Sequence, residues 1–176
     1  MTTIEENIIK MHHTCALRNN ASSEVIKIMA QLGKPFNDAV AAGLLTMGGI
    51  HAPVEEAQQE FSVFRNSGKL SEDIDKHPGF GSAWYKNQPD PVIEEFFNSL
   101  PDTCDEGAEL LGQVEEYTDA VQRMYEKFIY PNAGLATAIA NIALKRHPSM
   151  GMGLVIQGRV AAWEELYIMN YQYRGF

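Results

Sequence analysis

An all-α fold is what this sequence predicts, and three observations carry it. Apolar residues recur at every third or fourth position through most of the 176 residues. No segment alternates apolar and polar residues over a useful length, so no strand is expected. Glycine and proline gather between the periodic stretches, where they act as punctuation.

Taken in order, Ser22 to Met29 and Phe36 to Met47 read as two helices separated by Gly33-Lys34-Pro35. Ala52 to Arg65 places Val54, Ala57, Phe61 and Phe64 on one face, with Pro53 near the first turn, where its missing N–H costs nothing. The stretch from Ser67 to Pro91 is the least regular. Pro91 to Leu100 reads as a short helix bounded by Pro89-Asp90-Pro91 and Pro101. Asp105 to Phe128 is the clearest helix: Leu110, Val114, Tyr117, Val121, Met124 and Phe128 form one apolar stripe. Leu135 to Leu144 is alanine-rich and suits close-packed neighbours. Met152 to Tyr173 reads as a long terminal helix.

The formal net charge of −9 argues against nucleic acid or an anionic membrane as the main partner, because phosphate binding needs clustered Lys and Arg. No run approaches the ~18 apolar residues needed to span a bilayer. Met1 to Lys10 carries Glu5 and Glu6 and lacks the apolar core of a signal peptide. Cys15 and Cys104 are too few for a disulfide framework and lack metal-like spacing, so reduced thiols in a cytoplasmic protein, and no metal, are expected.

Several residues suit chemistry as well as structure. His51 follows Gly48-Gly49 and precedes the Pro53 helix start. A histidine at a helix N-terminus has its pKa lowered by the dipole, so it can donate a hydrogen bond while neutral. A capping or surface histidine fits the same spacing. Pro78, Gly79, Phe80 and Gly81 form a loop whose exposed backbone groups could hydrogen-bond a planar base, or simply a turn. Tyr130-Pro131-Asn132 suits a helix start. Arg159, on a long and otherwise apolar helix face, needs a partner or an exit to water.

These segments, in the order Asn20-Ala21-Ser22, Gly48 to Pro53, His77 to Ser82, Tyr130 to Gly134 and Gly158 to Trp163, resemble the citrate synthase and citryl-CoA lyase superfamily. The resemblance runs from about Met11 to Trp163. It implies a citrate synthase-like, all-α fold with a partial large domain (1–67 and 149–176) and an inserted small helical domain (68–148), corresponding to the C-terminal half of a full-length member. Ala41 to Met47 also looks like the helix before the histidine element in ATP-citrate lyase.

By this resemblance His51 would polarise a CoA thioester, with CoA or an acyl-CoA as substrate. Pro78 to Gly81 would lie against the CoA base, with Lys86 nearby. Ser82 would act as a weakened donor where relatives carry a histidine. Arg159 would anchor a carboxylate, and Asn20 with His13 or His12 would approach the second substrate. The departures fall on the chemistry. Relatives follow Tyr-Lys-x-x-Asp-Pro with an arginine, where this chain has Val92, and their general base aligns with Gly134. Arg174 is the only candidate for a further arginine that relatives use across subunits.

Loss of a general base costs about 10²–10⁴ in rate, and loss of an oxyanion donor about 10²–10³, so ordinary citrate synthase turnover is not expected. Two readings follow: an impaired enzyme of aldol–Claisen condensation or citryl-CoA cleavage, or a pseudoenzyme that binds a CoA compound or a partner protein. A homo-oligomer, dimer or larger, is also expected, since the Val54/Phe61 stripe looks hard to bury within one chain.

Overall fold

The computed structural model describes residues 2–18, 20–47, 53–71, 77–82, 84–86 and 88–171. Among them the regular structure is helical, and the single strand-like feature is an isolated antiparallel bridge between Phe80 and Pro131. The helices are α1 (Ile4–Ala16), α2 (Ala21–Gln31), α3 (Phe36–Leu45), α4 (Val54–Ser67), α5 (Pro91–Asn98), α6 (Leu100–Thr103), α7 (Gly107–Tyr125), α8 (Ala133–Ala143) and α9 (Gly151–Asn170).

Helix α1 is absent from the sequence expectations, yet its start is a capping box. Thr3 accepts from the Glu6 amide at 3.2 Å, and the Glu6 carboxylate accepts from the Thr3 amide at 2.7 Å. The expected 91–100 helix does not stop at Pro101. It is followed by the short turn of α6, with Pro101 in its first positions, where no N–H donor is required. Helix α7 is shorter than its stripe suggests. Glu126 takes the left-handed conformation (φ 51°) and ends the helix, which leaves Phe128 73% exposed.

Two hydrophobic clusters hold the helices together. One gathers Ile8, Met11, Phe61, Phe96, Leu110, Tyr117, Leu135 and Ile139; the other gathers Ile26, Ala39, Val54, Val155, Ala162 and Trp163. Packing is continuous across residue 68, since the Phe61 ring meets the Tyr117 ring edge-on at 5.5 Å. The Val54/Ala57/Phe61 stripe, expected to need a second chain, is fully enclosed within this one by α7, α8 and α9. Alanines along α8 make this possible by letting α4 approach closely.

Helix α9 is the spine. It packs on α1, α2 and α3. Trp163 lies under Gly43, where a Cβ would sit 3.1 Å from the indole. At Gly158 the backbones of α1 and α9 nearly touch: a Cβ there would meet the Ile9 carbonyl and His12 Cβ, each at 2.5 Å. A Gly158→Ala variant should therefore lose about 1–3 kcal/mol through overpacking. Urea unfolding would read this as a lower midpoint at unchanged slope.

Candidate functional site

Two of the motifs are joined by backbone hydrogen bonds. The Gly81 amide donates to the Tyr130 carbonyl (2.9 Å) and the Asn132 amide to the Gly79 carbonyl (2.8 Å), while Asn132 Nδ2 donates to the Gly81 carbonyl (3.1 Å). Asn132 also caps α8, accepting from the Gly134 amide at 2.8 Å. Gly79 and Gly81 both have positive φ (87° and 83°). Gly79 is required for space as well, since a Cβ would stand 2.8 Å from Leu135 Cβ and 3.1 Å from Ala57 Cβ.

The start of α4 reaches the same point. A Cβ on Gly134 would lie 3.5 Å from Pro53 Cδ and 3.7 Å from Gly79 Cα. Thus Pro53, the 78–81 loop and the start of α8 converge. The motif residues Gly48, Gly49, Ile50, His51 and Ala52 lie outside the described residues, as does Arg174.

One turn along α8, a polar chain leads inward. Thr137 gives its hydroxyl hydrogen to the Ala133 carbonyl at 2.6 Å, so its oxygen accepts from His12 Nε2 at 2.7 Å. This assigns the tautomer: Nε2 carries the proton, and Nδ1 holds a lone pair with no partner. Desolvation, aided by the nearby Arg159 cation, lowers the His12 pKa to about 3. His12 is 2% exposed and neutral.

Arg159 donates from Nη1 to Ser22 Oγ at 2.9 Å, while its Nε is sealed from solvent without an acceptor. Among the described residues no carboxylate pairs with it. Ser22 Oγ donates to Asn20 Oδ1 at 2.7 Å, and Asn20 Nδ2 donates to the carbonyls of Cys15 (3.3 Å) and Arg18 (3.0 Å). Asn20 is the N-cap of α2, so its side chain is spent on the scaffold around Arg159. Burial pushes the neighbouring Cys15 thiol up to about 11, keeping it protonated.

His13 does not join this cluster. Its Nε2 lies 2.8 Å from Glu165 at the surface. The residue beside Arg159 is His12, and helical phase was the signal for it, because Ile4, Ile8, His12 and Ala16 step by four along the buried face of α1.

A second feature is a cleft of about 410 Å³ between the 80–86 loop and the end of α7. Phe80, Gly81, Ser82 and Lys86 line it, joined by His77 and Lys127. Ser82 Oγ accepts from the amides of Trp84 and Tyr85 (both 3.2 Å), which leaves its hydroxyl hydrogen to give. Gly79 belongs to the convergence with Pro53 and Gly134, and neither it nor Pro78 lines the cleft. Sequence reasoning placed His77 in a motif but gave it no role of its own. It is buried, its Nδ1 lies 3.1 Å from the Tyr125 hydroxyl, its Nε2 is unpartnered, and burial lowers its pKa.

No family model matches the chain, and no curated protein matches it. Among solved structures, citryl-CoA lyase from Hydrogenobacter thermophilus superposes with a TM-score of 0.68 at 21% identity, covering 100% of this chain and 74% of that one. The fold is citrate synthase-like. The chain spans about three quarters of this neighbour's length.

The buried neutral His12 has a consequence for stability. Its folded pKa lies far below the ordinary 6.5, so the unfolded chain takes up a proton that the folded chain refuses. Stability from this group is complete above pH 6.5 and falls as pH drops toward 3. The loss should reach about 2 kcal/mol by pH 5. Urea unfolding at pH 7 and pH 5 measures it, and His12→Gln should remove most of the difference.

Proposed function

We propose that the protein binds a CoA thioester together with a small carboxylate. The observation that carries this reading is Arg159, a guanidinium with a sealed, acceptor-less Nε and no carboxylate partner among the described residues. An Nε–H sealed without an acceptor is costly unless a ligand completes it, and the half-buried side chain leaves room for one to approach. His12 stands beside it as a neutral acceptor, suited to a ligand hydroxyl.

The cleft suits the CoA end, with aromatic and backbone surface from Phe80 and Gly81 and two cations, Lys86 and Lys127, for phosphate. His51 would polarise the thioester carbonyl. The reaction would be of the aldol–Claisen type, condensation or citryl-CoA cleavage, in keeping with the citryl-CoA lyase to which the structure is similar.

Gly134 favours a second reading, binding without turnover. The convergence point that would hold a base carries no carboxylate there. A side chain would start 3.0 Å from Asn132 Oδ1, so restoring an acid requires the α8 cap to give by a few tenths of an ångström.

Calorimetric titration with acetyl-CoA, oxaloacetate present, tests the reading. Saturable binding is expected, weakened ~10-fold or more by Arg159→Gln at the carboxylate and by His51→Ala at the thioester. No binding at millimolar ligand would sink it. A citryl-CoA cleavage assay on the same preparations separates enzyme from binder.

Self-association is part of the proposal, on grounds other than the Val54/Phe61 stripe. Apolar side chains of α3 and α9 face solvent, among them Leu45 (87% exposed) and Met169 (78% exposed). A second copy covering these side chains would remove them from water. Sedimentation equilibrium should give a mass at least double 19.6 kDa. A monomer would remove this part.

A further inference from the structure

We propose that the groove between α5 and α7 is a docking site for an amphipathic helix of a partner protein, its apolar face on the groove floor and its lysines or arginines on the acidic rim. Docking there is independent of what Arg159 binds.

The groove is an open hollow of about 370 Å³. Its floor is apolar: Ile93 and Phe97 come from α5, and Leu111 and Val114 from α7. Phe128 stands at its side. The left-handed residue Glu126 ends α7 and turns the chain, so Phe128 leaves the stripe it would have continued and lines the groove from solvent, 73% exposed. Gln122 Nε2 holds that turn by donating to the Ile129 carbonyl at 2.9 Å. An aromatic ring fixed outside the core, beside an apolar floor, suits the anchoring of a partner.

Charge selects the partner. Asp90, Glu94, Glu115 and Asp119 line the groove, and among the described residues no Lys, Arg or His does. Asp90 is already held by Arg18. Glu94, Glu115 and Asp119 are exposed and make no ion pair among the described residues. Arg123 and Lys127 line a neighbouring hollow that shares Phe128. A second copy of this chain, at −9, is a poor match for such a rim, and no residue of α3 or α9 lines it.

Spacing selects a helix. Glu115 and Asp119 lie one turn apart on α7, a rise of about 6 Å. The groove follows α7 from Leu111 to Gln122, about 16 Å of helix. A helix laid alongside meets the acidic repeat with cations at i and i+4 and covers the floor with the apolar side chains of its other face. A small amine would cover only part of that length.

Fluorescence anisotropy of a labelled peptide, two heptads of Leu-Lys-Lys-Leu-Leu-Lys-Leu, titrated with the full chain, provides the test. A peptide of the same composition, scrambled so that it has no apolar face, is the control. Saturable binding in the micromolar range is expected for the first and not for the second. Glu115→Gln/Asp119→Asn should weaken it about 5-fold, and Phe128→Ala about 10-fold. All three side chains are exposed, so these variants keep the fold. Glu55→Gln/Glu116→Gln removes the same charge from exposed positions outside the groove and should leave the affinity unchanged.

No saturable binding at submillimolar peptide overturns the proposal. Equal weakening in Glu55→Gln/Glu116→Gln, or equal binding of the scrambled peptide, also overturns it, because net charge alone would then be the attraction. Tryptamine binding lost in Phe128→Ala, with no binding of the peptide, would make the occupant a small amine instead. A sedimentation mass that falls to 19.6 kDa in Phe128→Ala would make it a second copy, and either result overturns the assignment.

Discussion

The near-contact of α1 and α9 at Gly158 is the constraint on which the rest of the molecule depends. With no Cβ at that position, the backbone of α1 lies directly on α9, and His12 is delivered beside Arg159. Any larger residue would separate the helices and with them the two groups. The same approach carries the end of α1 to the start of α2, where Asn20 and Ser22 tie the turn to the guanidinium. Apolar burial around Trp163, Ile8 and Leu154 supplies the favourable free energy that holds an incompletely paired cation in place.

A second convergence, of Pro53, Gly79 and Gly134, shows what the motif residues do for the backbone. Gly79 and Gly81 take positive φ, Asn132 caps α8 and bridges to Gly81, and Pro131 pairs with Phe80. Each of these demands is met by the fold whether or not any reaction occurs. Ser82, Val92 and Gly134, by contrast, do not take positive φ, although Ser82 accepts from two backbone amides and Gly134 packs close to Asn132. Resemblance in the first group is evidence of architecture, and function has to be argued from side chains such as Arg159.

Much of the architecture was legible because local rules agree with the tertiary outcome. The 110/114/117/121 stripe is buried as its period requires, and the cap at Asn132 marks the start of α8. Helix α1 was equally legible from Thr3, Glu6 and the 4-8-12-16 phase, and that phase also distinguishes His12 from His13. The Val54/Phe61 stripe was misjudged because its burial depends on how closely α8 can approach, a property of helix spacing rather than of the stripe. The Arg18–Asp90 pair joins residues 72 apart. No local pattern encodes such a contact, and the same holds for the meeting of His77 with Tyr125.

What surrounds Arg159 determines the kind of chemistry the site can host. Its close neighbours are a histidine held neutral down to about pH 3, a thiol held protonated up to about pH 11, and a serine hydroxyl. None of these gives or takes a proton readily at neutral pH. Each can accept or donate a hydrogen bond without changing charge. Neutral groups around a cation leave its field uncancelled, which is the electrostatic basis of the proposed anion site in a chain that carries −9 as a whole. Proton transfer at neutral pH would have to come from the ligand, from solvent or from His51. The groups around Arg159 therefore offer hydrogen bonds at neutral pH without supplying a general base of their own.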